Sequence, residues 1–560
     1  MVSEIIMLEA LTDFVDDAIA AEITPAHVDD MMRVLKEAGV ERVSWAYYGD
    51  GHDGYFIPAG LNPNWDNYEK TLRALGNPLR VAVEAAHRYG IELYAYFKPY
   101  ETGPAFSLPE GSPDARAFGR IRQQGGRLTW LDRFVVDHPE LRIRHRPDAS
   151  IEDLAHVPIC ALKLVKGDGA PTRVGREHLQ IWSSQHNYRY QPCAVDFQVH
   201  ETVEPSPEEV RDVNGDLVTK QGDAVRTLTL SGFQLTDPYI MVTTDFTDGP
   251  ADFQNTGTEL LVALDAEGRE IPGVFATGGA IWERDRVDFR DWGLIFDTGR
   301  GRSVVHLDEP NVSGRKGLIA FTRGRNEYLP GALCETEPGV QAYWLSCLQE
   351  ILETGVDGVD FRVENHGTHT DYTEEYGFND VVLDACARRG QADVATIAQV
   401  RGEAYTQFLR DAKRMITACG KRVRINLNID WFRPDPPPAR RLAYPANIHY
   451  DWKGWVEEGL LDEGILRLYQ LPFDAVFDDA VSVEMIACCQ KQGIPLTINR
   501  YINSDYAEEF VRVRRDGRFS GFILYETAGF LKFEAGGHCR FENDAVAAVC
   551  KMMRESPIEG

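Results

Sequence analysis

The residues best suited to chemistry lie in short β-type runs that end on charged side chains. In the run from Asp357 (Asp-Gly-Val-Asp-Phe-Arg-Val-Glu-Asn-His), period-two alternation puts Val359, Phe361 and Val363 on one face of a strand and Asp360, Arg362 and Glu364 on the other. Charged side chains on an inner face are costly unless they are paired or used, so they mark either a buried ion network or a site. The run Arg422–Asp430 repeats the pattern, with Arg424, Asn426, Asn428 and Asp430 opposite Val423, Ile425, Leu427 and Ile429. Two carboxylates flanking a bond, one protonated and one ionised, are the usual means of hydrolysing a glycoside. Glu364 is the expected acid, Asp360 and Arg362 the groups that tune it, and Asp430 or Glu526 its partner. Tyr48, His52, Tyr96, Lys98, Asn365, His366, Arg500 and Tyr525 end other runs or follow them. Such aromatic, amide and cationic groups give a sugar faces to stack on and partners for its hydroxyls, although core packing explains any single aromatic as well. His366-Gly-Thr-His369 followed by Asp371 resembles a ligand cluster but lacks the i, i+4 spacing of a helical histidine pair. Sugar contacts are expected there, with no metal and no other cofactor. No G-x-S-x-G occurs, and no cysteine sits in a nucleophile's context.

The elements that must position these groups alternate. Thr24-Pro25 opens a helix with Val28, Met31, Met32 and Leu35 on one face, Val40–Tyr48 reads as a strand, Pro78–Tyr89 as a helix and Ile91–Pro99 as a strand. The rhythm resumes at Pro338: strands are expected over Val356–Glu364, Arg422–Asp430, Ile465–Gln470, Ile494–Tyr501 and Gly521–Glu526, with helices between them. About eight such units predict an α/β chain folded as a (β/α)8 barrel; no G-x-G-x-x-G follows an early strand, as the doubly wound rival would have it. Between Cys160 and Asp308 the runs are short, β-type and separated by Gly, Asp, Asn and Pro. The expected organisation is therefore a first barrel part over 1–155, an inserted β-sandwich-like domain over 156–315 and a second barrel part over 316–560. Packing or oligomer contact is the expected role of the insert, with Trp282 and Trp292 as its sugar-binding candidates.

The chain carries 59 Lys and Arg against 87 Asp and Glu, a net charge of −28, which would repel a phosphate backbone or an anionic membrane surface. No nucleic-acid or membrane partner is expected; a carbohydrate substrate is, and a homo-oligomer is compatible with the sequence. The acidic N-terminus does not read as a signal peptide, and ten scattered cysteines read as reduced thiols, so a cytoplasmic location is expected, or a secreted one if a signal peptide was removed.

Gly90–Pro99, Glu337–Asp360, Asp451–Gln470 and Gly521–Glu526 resemble, in order and spacing, the bacterial glycosyl hydrolase-like barrels of the family-10-like group, also called domain of unknown function 187. The resemblance covers both barrel parts and implies a carbohydrate-active barrel without fixing a substrate. Asp357–Glu364 is also similar to the D-G-x-D-x-D-x-E strand of family 18 chitinases, whose final Glu is the general acid; Arg362 stands where that family has its middle Asp.

Overall fold

The computed structural model describes residues 6–47, 55–56, 65–100, 131–132, 134, 138–147, 157–167, 174–184, 191–211, 217–237, 239–244, 259–271, 274–277, 295–297, 302–304, 317–323, 328–363, 373–428, 447–467 and 472–555. Eight parallel strands close into a barrel: β1 (Met7–Thr12), β2 (Arg42–Ala46), β3 (Glu92–Phe97), β4 (Gly358–Phe361), β5 (Arg422–Asn428), β6 (Glu463–Arg467), β7 (Leu496–Arg500) and β8 (Gly521–Leu524). β8 pairs with β1 through Met7↔Gly521 to Ala10↔Leu524 and closes the ring. Helices lie between successive strands, among them α1 (Pro25–Glu37), α2 (Pro78–Arg88), α3 (Pro338–Glu353), α4 (Val394–Ala418), α5 (Trp452–Glu458), α6 (Ala480–Lys491) and α7 (Tyr506–Asp516). This is the expected (β/α)8 barrel.

One strand was not foreseen. The ring opens with Met-Leu-Glu-Ala-Leu-Thr, a stretch whose composition favours helix as much as strand. It is a strand because Leu8 and Ala10 pack outward in the core while Glu9 finds a cation inside the ring. The apolar outer face continues around the barrel through Val43, Leu93, Val359, Phe361, Val423, Ile425, Ile498 and Phe522, all at most 1% exposed. This face packs on the helices, and burial of that surface is the main favourable term in forming the barrel.

Between the barrel parts, a four-stranded sheet (Gln198–Pro205, Ala224–Leu235, Ile159–Lys166, Glu259–Leu264) and a five-stranded sheet share a second core built on Leu162, Leu164, Leu228, Ile181 and Val242. The five-stranded sheet includes Gly317–Arg323, paired antiparallel with Tyr239–Thr244. The boundary expected at residue 315 therefore cuts this sheet short, because the hydrogen-bond ladder carries the β region through Arg323.

Candidate functional site

The barrel interior is ionic at its floor and middle. At the N-terminal ends of the strands, the Arg42 guanidinium donates to Glu92 at 2.6 Å and to Glu463 at 2.6 Å, and Arg422 reaches Glu463 at 2.9 Å. Tyr94 donates its hydroxyl to Glu463 and lies under the Arg42 guanidinium, 4.0 Å from ring centre to charge. One layer up, Arg424 donates to both oxygens of Glu9 at 2.6 Å and lies 3.5 Å from Asp360, while Ser44 donates to Glu9 at 2.5 Å. Asp360 also accepts from Arg362 at 3.0 Å. Burial pushes the Glu9 carboxyl up, but Arg424, Arg42 and Ser44 outweigh it and hold the group below the usual carboxylate range. The same balance, struck by Arg42, Arg424 and Arg422, holds Glu463 low. Buried charges of this kind persist only when paired, and each charge of this lattice has a partner of opposite sign. Asp360, fully buried in the middle layer, has the surroundings of a structural ion pair.

The C-terminal rim differs in kind. Here the residues at or just past the ends of the strands are Asp13 (β1), Lys98 (β3), Arg362 (β4), Arg467 (β6), Tyr501 (β7) and Tyr525 with Glu526 (β8). Arg467 donates to Tyr501 Oη at 2.8 Å and to Tyr525 Oη at 2.9 Å, and the two rings meet edge to face at 4.3 Å. Arg362 stacks over Tyr96 at 4.4 Å, and the Lys98 ammonium lies 5.5 Å from the same ring. Burial holds both Tyr501 and Tyr525 well above an ordinary phenol, so each keeps its proton and can donate.

Glu526 is the carboxyl of this rim. Strand alternation would send it outward with Phe522 and Leu524, but its φ of 54° breaks the alternation. Its charge interacts with Asp13, Arg467 and Lys98, and it takes a hydrogen bond from Tyr525. Burial, reinforced by the Asp13 carboxylate, pushes its acid strength down: its pKa lies above the usual carboxylate value despite Tyr525, Arg467 and Lys98. A left-handed backbone at a residue that is neither Gly nor Asn costs of order 1–3 kcal/mol and persists where surrounding structure imposes it. A third carboxyl, Asp17, lies behind the pair and is pushed up to about 7, chiefly by burial and further by Asp13 and Glu526, against the hydrogen bonds it accepts from Thr527 and Thr12.

Of the residues singled out from sequence, Tyr96, Lys98, Arg362, Tyr525 and Glu526 come together at this rim, while Asp360 sits one layer below. Arg500 does not join them. It alternates outward with Leu496 and Ile498 and pairs with Glu509 of α7 at 2.9 Å, over the Phe473 ring. The next residue, Tyr501, is the inward one. Tyr48, His52, Glu364, Asn365, His366 and Asp430 lie outside the described residues, as does the side chain of Asn428, and likewise His369, Asp371, Trp282 and Trp292. Sequence reasoning missed Asp13, Asp17 and Arg467. The period-two rule applied to Glu463–Arg467 would have found the arginine; the two aspartates, which follow β1 in the chain, were hidden with that strand. Among the described residues no group of three or more His, Cys, Asp and Glu is arranged to hold a metal ion, and no helix is long and apolar enough to cross a membrane.

Fold and rim together define an α/β barrel with a carboxyl-bearing, aromatic and cationic mouth at the C-terminal ends of its strands, the end where barrel enzymes carry their chemistry. No family model matches the chain, and no curated protein matches it. Among solved structures it is similar to the β-amylase catalytic domain of Paenibacillus polymyxa, at 7% identity and a TM-score of 0.39 over 100% of both chains. It is also similar to isomaltulose synthase of Klebsiella sp. LX3, at 10% identity and a TM-score of 0.32 over 93% of this chain and 65% of that one. Morphinone reductase in complex with tetrahydroNAD matches at 9% identity and a TM-score of 0.33, over 93% of this chain and 83% of the other. The barrel itself rests on the strand pairing described above, and the activities of these proteins are their own.

Proposed function

We propose that the chain is a glycoside hydrolase acting on an oligosaccharide or a small glycoside, with Glu526 as the proton donor to the leaving oxygen. The supporting observation is the state of Glu526: a half-buried carboxyl at the catalytic end of a (β/α)8 barrel, kept protonated to higher pH by burial and by Asp13, beside phenols and guanidinium groups. That is the environment a general acid needs near neutral pH. Tyr96, Tyr501 and Tyr525 supply ring faces and hydroxyls, and Arg362, Arg467 and Lys98 supply donors to sugar oxygens. The second carboxylate comes from Asp13, or from Glu364 or Asp430, which sequence puts at the ends of β4 and β5. No cofactor enters the scheme. Membership of the family-10-like group fits this reading, as does a carbohydrate partner without nucleic acid or membrane.

Replacing Glu526 by Gln should abolish turnover of a panel of aryl glycosides while the circular dichroism spectrum and saccharide binding persist. Wild-type rates in that variant remove Glu526 from the mechanism. A sugar-acid lyase or isomerase is the second reading, favoured by the placing of Lys98 and Arg467 beside Glu526. A lyase leaves an unsaturated product absorbing in the ultraviolet; a hydrolase leaves none.

A further inference from the structure

The ladder between β1 and β8 ends at Ala10↔Leu524. Two residues past Ala10 and three past Leu524, the chains are joined by side chains instead. Asp17, in the short helix Phe14–Ala20, accepts a hydrogen bond from Thr12 Oγ1 at 2.7 Å and another from Thr527 Oγ1 at 2.7 Å, both on its Oδ2. Thr12 is the last residue of β1, and Thr527 directly follows Glu526. Thr12 and Thr527 are fully buried and Asp17 is 3% exposed, so the clamp is shielded from water. Its position matters because Glu526 departs from strand geometry at this point, with φ 54° and ψ 104°.

We propose that Asp17 is a positioning residue for Glu526: its carboxyl, held between Thr12 and Thr527, fixes the left-handed turn at Glu526 and so aims that side chain into the barrel mouth. The inference rests on Glu526 being the proton donor. Two hydrogen bonds to one buried oxygen offset the cost of the unusual backbone, and they tie it to the rigid end of β1. The titratable groups that face Asp17 are Asp13, Glu526 and, from the strand His538–Phe541, Cys539. Burial, with the Asp13 and Glu526 charges beside it, raises Asp17 to about 7, so the clamp is held by a neutral carboxyl through the acid range.

The test has a structural arm and a kinetic arm. Crystal structures of the full chain bearing Asp17→Ala and Thr527→Val should show residue 526 relaxed to a negative φ, whereas Asp17→Asn, which keeps an acceptor oxygen, should retain the positive φ. With the aryl glycoside that the wild type turns over best, Asp17→Ala should lower kcat by at least about tenfold with KM changed less than about threefold, and Asp17→Asn should recover most of that loss. A positive φ at residue 526 in both Asp17→Ala and Thr527→Val overturns the proposal; if Asp17→Ala fails to fold, Thr527→Val and Asp17→Asn decide it. A dead Glu526→Gln variant beside an Asp17→Ala variant with wild-type kcat also overturns the proposal and leaves the function standing. Wild-type turnover in Glu526→Gln, or no turnover of any glycoside, defeats the function instead, and the crystallographic arm still decides whether Asp17 holds the turn.

Discussion

Arg424 is where the ion lattice beneath the rim can be broken most cleanly. Replacing it by Leu removes two 2.6 Å hydrogen bonds to Glu9, one to Ser44 and the 3.5 Å ion pair with Asp360. Both carboxylates are fully buried. Asp360 keeps Arg362, but Glu9 is left with Ser44 and the more distant Arg42. Removing one partner of a buried pair typically costs about 3–5 kcal/mol, because the other charge stays desolvated. The double variant Glu9→Leu/Arg424→Leu removes that charge as well and should regain at least about 2 kcal/mol, a coupling well outside additivity. The sign with pH follows from Glu9, which is held below the usual carboxylate range: its contribution is present above its unfolded value and is lost as pH falls through its folded value. The deficit of Arg424→Leu should therefore be larger at pH 7.5 than at pH 4.5, where Glu9 in the variant takes up a proton. Urea unfolding followed by tryptophan fluorescence measures all of this. A single variant within about 1 kcal/mol of wild type, or a double variant no better than the sum of its parts, would refute the reasoning.

Asp17 titrates with the opposite sign. Its folded value of about 7 lies above its ordinary 3.8, so its contribution is whole below the ordinary value and lost as pH rises through the folded one. Between pH 5 and 8 the wild type should lose about 3 kcal/mol that Asp17→Asn keeps, read as a difference of unfolding free energies; parallel curves contradict this. Arg467→Met, which withdraws the donor shared by Tyr501 and Tyr525, should lower kcat/KM for glycosides by about 10- to 100-fold with the far-ultraviolet spectrum unchanged. Gly402→Ala would drive a methyl into the backbone oxygen of His449, so it should cost more than about 2 kcal/mol, measured as a fall in urea midpoint.

Much of the architecture was legible because period two is strict in the barrel. Val359, Phe361 and Val363 against Asp360 and Arg362, and Val423, Ile425 and Leu427 against Arg424 and Asn426, fell on the faces their alternation implied. The same rule, applied to the residue rather than to the strand end, separates Arg500 from Tyr501. β1 was not legible, because Leu-Glu-Ala-Leu satisfies a helix as readily as a strand, and its role depends on Arg424, more than 400 residues away. Asp13 and Asp17 were hidden with it. The inward course of Glu526 was out of reach of any periodic rule, since it depends on a single positive φ imposed by tertiary contacts.

The central claim is that Glu526 meets the substrate at the barrel mouth. A crystal structure of Glu526→Gln with an uncleaved oligosaccharide tests it most directly. The account predicts the glycosidic oxygen within about 3 Å of the residue 526 amide, with sugar rings against Tyr501 or Tyr525. A saccharide bound outside the mouth, or one whose glycosidic oxygen faces a different carboxyl with residue 526 beyond reach, would contradict it.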